Sequence, residues 1–320
     1  MVKSEYFPLK VAVFLDGSPG HEKQTMGIVK ALQRLHPLEV TEIKINHRSS
    51  CQDISAWLRY LLGMDFLSPY AQEPYDLVIG TGAHTHIPIL SCKRRSGAFS
   101  ITCMAPSRIL RQRFDLCCIP QHDGIQAGKN VFLTIGPPNC SEARAGHDQN
   151  KALILLGGVD SKSHHWSSAD IDTYIRELVA IDTGKEWIIS SSPRTPGETV
   201  FLVEKIAAEL NNVTFFRYEN TASGWIEEQY ARHRTVWVTA DSMSMVYEAL
   251  SAGCDVGILP VAWKRKKNKF NRSEMYLLEQ GLVISFQSWR QGTAQWKVHE
   301  PLNEAGRCAE EILKKWFQKN

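Results

Sequence analysis

Short apolar runs rich in β-branched and aromatic residues alternate with segments of helical periodicity along most of the 320-residue chain. Helices cover both faces of a parallel sheet, so the strands of such a sheet have near-continuous apolar sequences. The pattern therefore predicts an α/β fold with parallel sheets. The predicted strands are 11–15, 40–45, 77–79, 99–104, 116–119 and 131–135 in the first half, and 152–156, 187–189, 213–216, 236–239, 256–259 and 282–286 in the second.

The pattern is interrupted once, by the polar stretch 136–150, which contains Pro137 and Pro138 and has no periodicity. We interpret this stretch as a linker between two doubly wound, Rossmann-like domains that face a cleft. The predicted boundaries are 1–147 for the first domain and 148–301 for the second. Residues 302–320 have apolar positions at helical spacing and are predicted as a closing helix, with a return to the first domain as one option.

The composition is that of a soluble globular protein, with 43% hydrophobic and 22% charged residues. A net charge of only +3 and the lack of a basic surface interleaved with aromatic residues argue against nucleic-acid binding. The eight cysteines include no C-x-x-C pair and are interpreted as reduced core residues. Without a secretory signal or a membrane-spanning apolar run, the chain is expected in the cytoplasm, with peripheral attachment to the inner face of a membrane left open.

The most informative stretch is 236–250, where an apolar strand leads directly into an amphipathic helix. A helix N-terminus attracts anions through its N–H groups and dipole, and the hydroxyls of Ser242 and Ser244 add donors, so a phosphate site is predicted. The alternative is that Asp241 or Ser242 only caps the helix. Glu248 lies four residues after Ser244, outside the capping-box spacing, which favours a ligand-binding role for this carboxylate.

Two other predicted strands of the second half end in residues suited to the same ligand. One is followed by Gly157 and Gly158, which offer backbone N–H groups. The next is followed by Ser191, Ser192 and Arg194, whose guanidinium can bind phosphate in a bidentate way. Because the carboxyl ends of parallel strands share one edge of a sheet, we expect the three loops to meet and form a diphosphate site.

In the first half, the loop after the first predicted strand contains Asp16, Gly17, Gly20 and His21. Glycines allow the backbone to approach a ligand closely, and a histidine at a helix N-terminus is a candidate general base. The alternative is a tight turn in which Ser18 caps the helix. The loop matches neither the G-x-G-x-x-G fingerprint nor a Walker motif.

Two further strand ends carry histidines. Gly82, His84 and His86 follow the third predicted strand, and two histidines at this spacing are potential metal ligands. No third ligand is identifiable, so we favour a polar turn lining the cleft and predict no metal site. His122 and Asp123 follow the fifth strand as a candidate acid–base pair, with a solvated turn as the favoured alternative.

Two charged segments have competing interpretations. The basic segment from Trp263 to Arg272 is either a solvated loop or, through Trp263 and Phe270, a contact for an anionic membrane surface or a phosphate-bearing ligand. Asp170 and Asp172 form a D-x-D pattern that resembles a metal motif. The serines before it and the apolar spacing after it favour a helix start instead.

Seven sequence motifs occur in order along residues 11–283. They are DGSPGHEKQTMG, DLVIGTGAHT, FDLCCIPQHD, NVFLTIGPPN, LILLGG, SSSPRTP and VTADSMSMVYEAL. In this order they resemble the Elm1-type "mitochondrial fission" family of bacterial and plant proteins. That family resembles the GT-B glycosyltransferases, in which a C-terminal Rossmann-like domain holds a nucleotide-sugar and an N-terminal one holds the acceptor.

The resemblance implies a role for each donor-side residue. Ser242, Met243 and Ser244 would line the diphosphate. Glu248 would accept hydrogen bonds from the ribose hydroxyls, and Arg194 would neutralise the leaving phosphate. GT-B enzymes generally use helix dipoles and basic side chains in place of a metal, so the resemblance implies no cofactor besides the nucleotide-diphosphate sugar substrate.

On the acceptor side, the resemblance makes His21 the candidate catalytic base, with Asp16 and Asp123 as alternatives. Ser18 stands where family members more often carry Lys, and the stretch VDSKSHHW at 159–166 is longer than usual. Both departures concern acceptor specificity. The acceptor-side residues are Gly17, Gly20, Gly82, His84 and His122.

The expected activity is metal-independent transfer of a sugar from a nucleotide-diphosphate donor to the hydroxyl of a lipid-linked or glycan acceptor, in cell-envelope or surface glycan synthesis. Plant relatives are associated with recruiting a fission dynamin to the mitochondrial surface, so a non-catalytic scaffold is one alternative. A sugar-nucleotide epimerase, which shares the fold and the diphosphate loop, is the other.

Overall fold

The computed structural model describes residues 7–45, 50–64, 73–265 and 269–319. The chain forms two compact units. The first ends at Cys140 and includes the segment from Asn303 onward, and the second comprises Ser141–Leu302. Each unit is built on a six-stranded sheet whose strands are all parallel. The predicted α/β fold with two doubly wound sheets is confirmed.

The first unit alternates strands with helices. Its elements before the boundary are β1 (Leu9–Leu15), α1 (Pro19–Leu35), β2 (Leu38–Lys44), α2 (Ser50–Leu61), β3 (Leu77–Thr81), α3 (Ala83–Ser96), β4 (Phe99–Cys103), α4 (Arg108–Arg111), β5 (Leu116–Pro120) and β6 (Val131–Thr134). A 3-10 turn, Gln121–Asp123, follows β5. The strand order is β2-β1-β3-β4-β5-β6, so the direction of winding reverses between β1 and β3.

The second unit repeats this architecture. Its elements are β7 (Asp148–Leu155), β8 (His164–His165), α5 (Ser168–Ile181), β9 (Glu186–Ser190), α6 (Gly197–Glu209), β10 (Val213–Phe216), α7 (Trp225–Arg232), β11 (His233–Thr239), α8 (Met243–Ser251), β12 (Asp255–Leu259), β13 (Ala262–Trp263), α9 (Lys269–Glu279), β14 (Val283–Ser285) and α10 (Phe286–Arg290). The sheet order is β10-β9-β7-β11-β12-β14, the Rossmann arrangement, while β8 and β13 form a separate antiparallel pair.

Alternate residues of β1 face two different cores. Val13 packs in a cluster with Ile28 of α1, whereas the next residue, Phe14, packs with Ile89 of α3. Complete burial of such a side chain contributes about 1.5–3 kcal/mol relative to leaving it in water. Because both faces of the sheet are covered, the strands carry the near-continuous apolar sequences from which they were predicted.

A glycine makes room for a fully buried tryptophan of the second core. Trp237 of β11 is 1% exposed, and it lies over Gly257 of the neighbouring β12, where a Cβ would overlap the indole ring. Phe286 and Trp289 of α10 pack edge-on against the same indole, with ring centroids 6.1 and 5.4 Å away. Since a Cβ could not fit beneath Trp237, this strand position requires glycine.

The C-terminal helix α11 (Glu304–Lys319) belongs to the first unit. Ile312 is fully buried in the core that β1 and α1 share. The Glu304 carboxylate accepts a hydrogen bond of 3.1 Å from the N–H of Ile135, just after β6. The described chain contains no helix that combines the length and the apolar character needed to cross a membrane.

The structure places the boundary between the units at Cys140–Ser141, before the predicted position at 147. Asn139 is buried against Gly27 of α1, where a Cβ would overlap the Asn139 backbone, so this part of the predicted linker packs on the first unit. On the other side, the ring of His147 lies 3.6 Å from the Cβ position of Gly253 in the second unit. The end of the predicted linker is also not a linker, because β7 begins at Asp148.

Each sheet has one point at which the strand order reverses, and the loops on either side of this point follow different faces of the sheet. A crevice therefore opens at the carboxyl ends of the two strands, which is where doubly wound proteins bind ligands. In the first unit this crevice lies after β1 and β3, beside the loop 16–18 and Gly82. In the second unit it lies after β7 and β11, beside the loops 156–158 and 240–242.

Candidate functional site

Three loops of the second unit meet in its crevice. The N–H of Gly158 donates to the Asp241 carboxylate over 3.0 Å. The guanidinium of Arg194 lies 2.8 Å from the same carboxylate oxygen, Oδ2, and donates to the Ser242 hydroxyl over 3.0 Å. The glycine loop after β7, the arginine loop after β9 and the start of α8 thus form one hydrogen-bonded cluster.

The two glycines are required by this close approach. A Cβ on Gly157 would overlap the carboxylate of Asp241, and a Cβ on Gly158 would overlap the backbone of Arg194. The Gly157 N–H is held by the hydroxyl of Thr239 at the end of β11, over 2.8 Å. The glycines therefore bring backbone N–H groups to the crevice edge, where any larger residue would push the loops apart.

Ser191 and Ser192 hold the loops in place. The Ser192 hydroxyl donates to the carbonyl of Gly157 over 2.6 Å. The Ser191 hydroxyl accepts a hydrogen bond of 3.0 Å from the N–H of Tyr218. Both serines are buried, so these hydroxyls connect the β9 loop to its neighbours inside the protein.

Ser242 occupies the N-cap position of α8, but its side chain makes no capping hydrogen bond. Its hydroxyl faces the guanidinium of Arg194 instead. In the first turn of the helix, Met243 is buried and Ser244 is exposed. The sequence allowed the Ser242 hydroxyl to be a simple helix cap, but this hydroxyl belongs to the arginine cluster. The N–H groups of the first turn of α8 lie at the crevice.

Asp241 holds the centre of the cluster, a role that its sequence context did not indicate. Its side chain is 1% exposed. Its Oδ2 atom accepts a hydrogen bond from the N–H of Gly158 and forms an ion pair with the guanidinium of Arg194. Its other oxygen, Oδ1, is buried and has no hydrogen-bond partner among the described residues. Asp241 therefore engages two of the groups, the Gly158 N–H and the Arg194 guanidinium, that the sequence predicted as phosphate donors.

Glu248 lies in the second turn of α8, about 9 Å along the helix axis from Ser242. It is buried, at 7% exposure. Burial raises the pKa of the Tyr230 phenol well above its ordinary value, and the Glu248 carboxylate raises it further. Glu248 is thus a buried acid close to Tyr230, one turn further along α8 than Ser244.

The crevice of the first unit contains an aspartate–histidine pair. Nδ1 of His21 lies 2.7 Å from Oδ2 of Asp16, and Asp16 is 2% exposed while His21 is 29% exposed. A carboxylate next to Nδ1 favours the tautomer with its proton on that atom, which leaves Nε2 as an acceptor. The other Asp16 oxygen accepts the N–H of Ser18 over 3.1 Å, which fixes the carboxylate in the loop.

The glycines of this crevice differ in what they do. Gly82 has a φ angle of +95°, and a Cβ there would overlap the ring of His21 and the carboxylate of Asp16. Gly17 also has a positive φ, 79°, which an L side chain rarely adopts. At Gly20 a Cβ would meet nothing within 4 Å, so packing does not require a glycine there.

His84 and His86 lie in the first turn of α3, next to the same pair. His86 is 7% exposed. Burial lowers the pKa of His86 to about 4, with smaller contributions from the neighbouring His21 and His84. Within the described residues, no group of three or more His, Cys, Asp and Glu side chains is arranged to hold a metal ion. His86 is therefore a buried, neutral imidazole at neutral pH.

His122 and Asp123 form a separate pair after β5. Nε2 of His122 lies 3.8 Å from Oδ1 of Asp123. In the sheet order, β3 and β4 lie between β1 and β5, which separates the ends of β1 and β5 by about 14 Å. The structure therefore places Asp123, the alternative to His21 as the base, at a different strand end from the Asp16–His21 pair.

The aromatic side chains of the basic segment pack within the second unit. Trp263 stacks on Phe270, with ring centroids 6.0 Å apart, and its indole N–H donates to Glu274 over 3.0 Å. It also packs against His164, whose Nε2 lies 2.9 Å from the carbonyl of Gly158. The segment is thus linked to the glycine loop; its residues 266–268 lie outside the described part of the chain.

Several solved structures share this architecture over nearly their full length. The UDP-N-acetylglucosamine 2-epimerase of Methanocaldococcus jannaschii is 13% identical, with a TM-score of 0.58, covering 96% of this chain and 100% of the other. The S. aureus MnaA structure with UDP is 14% identical, with a TM-score of 0.53 and 97% coverage of each chain. The calicheamicin glycosyltransferase CalG4 is 13% identical, with a TM-score of 0.55, covering 98% of this chain and 99% of the other.

At these identities the likeness defines the fold, which is the one shared by GT-B glycosyltransferases and UDP-N-acetylglucosamine 2-epimerases. None of the curated proteins compared with this chain matches it. The sequence profile described as "Mitochondrial fission ELM1" matches residues 19–316, so the chain belongs to that family. The resemblance identified from the sequence motifs is confirmed.

Proposed function

We propose that this protein is a glycosyltransferase that binds a nucleotide-diphosphate sugar in the crevice of its second unit. The observation that carries the proposal is the meeting of Gly158, Arg194 and the start of α8 at the point where the strand order reverses. Backbone N–H groups, a guanidinium and a helix N-terminus are the groups with which proteins bind phosphates without a metal. The fold neighbours include glycosyltransferases of this architecture.

In the proposed donor site, the diphosphate of the ligand replaces the Asp241 carboxylate as the partner of Arg194. Arg194 is 42% exposed, whereas its partner Asp241 is buried, so the arginine side chain can rotate outward without disturbing the core. A diphosphate then takes the guanidinium, and the N–H groups of the first turn of α8 complete the contact. Glu248, further along α8, is assigned to the ribose hydroxyls.

The proposed base is the His21 imidazole. Its Nε2 takes the proton of an acceptor hydroxyl as that oxygen forms a bond to the anomeric carbon of the sugar. The bond from the anomeric carbon to the diphosphate breaks, and the nucleoside diphosphate leaves with the electron pair. Asp16 stabilises the imidazolium that forms, and Arg194 stabilises the charge on the leaving group. The acceptor is assigned to lipid-linked or glycan hydroxyls, with Gly82 and His84 beside it.

The first experiment measures nucleotide binding. The protein is titrated calorimetrically with UDP, GDP, ADP and CMP, alongside Glu248→Gln and Arg194→Ala. One nucleoside diphosphate should bind, and each variant should weaken it about tenfold or more, because a hydrogen bond to a charged group contributes about 1.5–3 kcal/mol. Glu186→Gln serves as the control, since Glu186 is exposed at the amino end of β9, whereas the crevice lies at the carboxyl ends of the strands. If no nucleotide binds, the proposed activity is wrong, and the non-catalytic scaffold is the remaining alternative.

The second experiment identifies the reaction. The sugar form of the nucleotide that binds is incubated with the protein, with and without a hydroxyl acceptor fraction from cell envelopes. Acceptor-dependent release of the nucleoside diphosphate supports transfer. Release of nucleotide together with a rearranged sugar in the absence of acceptor would identify an epimerase and overturn the proposed transfer.

A further inference from the structure

The first unit carries a charge asymmetry that the net charge of the whole chain conceals. Between Asp76 and Asp115 there is no acidic residue, yet this stretch contains six lysines and arginines, against a net charge of +3 for the entire chain. These residues occupy the end of α3 and the region of α4. They are Lys93, Arg94, Arg95, Arg108, Arg111 and Arg113.

The structure places Arg94 and Arg113 at the end of α2, while Lys93 pairs with Asp115 over 2.8 Å. The guanidinium of Arg94 lies 4.0 Å from the ring centroid of Tyr60, and that of Arg113 lies 5.4 Å from it. Arg94 also donates to the carbonyl of Tyr60 over 2.8 Å, and Lys93 donates to the carbonyl of Arg113 over 2.8 Å. The ends of α2 and α3 and the residues after α4 therefore form one continuous surface.

The outward face of α2 adds exposed aliphatic side chains to this surface. Leu58, Leu61 and Leu62 are 47%, 39% and 72% exposed, and their spacing places them on one side of the helix. Met64, just beyond the helix, is 46% exposed. Tyr60, on the other side of α2, is buried in the core with α3. The leucines and the two arginines at Tyr60 therefore flank the end of α2 from two sides, and together they mark an interaction surface rather than scattered surface residues.

We propose that this arginine–leucine surface, formed by residues 58–64, 93–95 and 108–113, binds peripherally to a bilayer that contains anionic phospholipids. The arginines neutralise lipid phosphates, and the leucines enter the boundary between headgroups and acyl chains. A nucleic acid would use the arginines but leave the leucines in water. A second copy of the chain would oppose one cationic surface to another, which disfavours self-association.

The position of the surface keeps the crevice of the first unit accessible. Helices α2 and α3 begin near the carboxyl ends of β2 and β3 and run back toward the amino ends. The arginine–leucine surface is therefore at the edge of this unit opposite to the Asp16–His21 pair. Docking to a bilayer through this surface holds the first unit at the membrane while leaving its crevice open to water.

The test is co-sedimentation of the full chain with vesicles. Vesicles of phosphatidylcholine alone are compared with vesicles of equal parts phosphatidylcholine and phosphatidylglycerol. The protein should sediment with the anionic vesicles only, and less at high salt. Leu62→Ser, Arg59→Glu and Arg108→Glu should each lower the partition coefficient by roughly tenfold. Because all three side chains are exposed, the variants should keep the melting temperature of the parent protein.

The controls change matched residues elsewhere. Phe201→Ser replaces a side chain with 67% exposure on α6, and Lys30→Glu reverses an exposed charge on α1; neither should alter partitioning. No binding of the parent protein to anionic vesicles, or unchanged binding of the three variants, would overturn the proposal. Loss of binding confined to Lys264→Glu would place the contact on the second unit. None of these outcomes depends on nucleotide binding, so this proposal and the proposed activity fail separately.

Discussion

The guanidinium of Arg194 lies 2.8 Å from the carboxylate of Asp241, a side chain that is 1% exposed. The same carboxylate oxygen accepts the N–H of Gly158. A buried acid at the centre of a predicted phosphate site is unexpected, because its charge repels the ligand. The arrangement is understandable if Asp241 holds the donors in position until a diphosphate replaces it at Arg194.

Replacing this acid with its amide tests the exchange. Asp241→Asn keeps an oxygen for Gly158 but removes the negative charge, so we expect nucleoside diphosphate to bind roughly tenfold more tightly. The free energy of unfolding should fall by about 1–3 kcal/mol, since a charged hydrogen bond is lost. Calorimetric titration and urea unfolding measure the two effects. Weaker binding in this variant would show that the carboxylate is needed to orient Arg194 for the ligand.

Removing the charge of Asp16 should slow turnover without affecting donor binding. Asp16→Asn no longer stabilises a protonated His21, so we expect kcat to fall by about a hundredfold or more while nucleotide affinity stays the same. Steady-state kinetics with the identified donor and acceptor provide the measurement. Asp123→Asn is the comparison, because Asp123 lies after β5. A larger loss in Asp123→Asn than in Asp16→Asn would move the base to that strand end.

Acid should destabilise the first unit through His86. Burial, followed by the charges of His21 and His84, lowers the pKa of His86 to about 4, below its value in the unfolded chain. The unfolded state therefore binds more protons between about pH 6.5 and 4, and the stability that His86 contributes falls as the pH decreases through this window.

Between pH 7 and pH 5 this loss amounts to about 2 kcal/mol. His86→Asn cannot titrate and should lack this part of the pH dependence, whereas His165→Asn, at an exposed position, should retain it. Urea unfolding at the two pH values compares the three proteins. An identical pH dependence in His86→Asn and the parent would show that His86 is not the titrating group.

The C-terminal helix should be essential to the first unit. Ile312 is fully buried in the core with α1, so Ile312→Ala should lower the free energy of unfolding by about 2–5 kcal/mol. Ile181→Ala, at a position with 57% exposure in the second unit, should change it by less than about 0.5 kcal/mol. Urea unfolding monitored by fluorescence separates the two. Equal effects in both variants would mean that α11 does not contribute to the core.

The strands were predictable because their signal is local. Every strand of the two sheets was expected from its apolar run; for example, β10 was predicted at 213–216 and is Val213–Phe216. The start of α5 was also readable, since Ser167 accepts the N–H of Asp170 as an N-cap. By contrast, the two-residue strands β8 and β13 exist only through their pairing with each other, and nothing periodic marks them in the sequence.

The contents of the candidate site were predicted better than their arrangement. The sequence indicated Gly158, Arg194 and Ser242, and the structure brings them together. It did not indicate that Asp241 contacts Gly158 and Arg194. The contact between Gly158 and Asp241, for example, joins residues 83 positions apart. The arginine–leucine surface was missed for the same reason, since Tyr60 and Arg94 are separated by 34 positions.

The alternation of apolar runs and amphipathic segments by itself determined the class of the fold, its two sheets and the loops that end the strands, because strand and helix periods depend on neighbouring residues only. Which of those loops meet was decided by the order of strands in each sheet. That order puts β7 next to β11, and so Gly158 next to Asp241, while it keeps Asp123 away from His21. Strand order reflects the packing of whole sheets against their helices, a property of the tertiary structure that no local pattern contains.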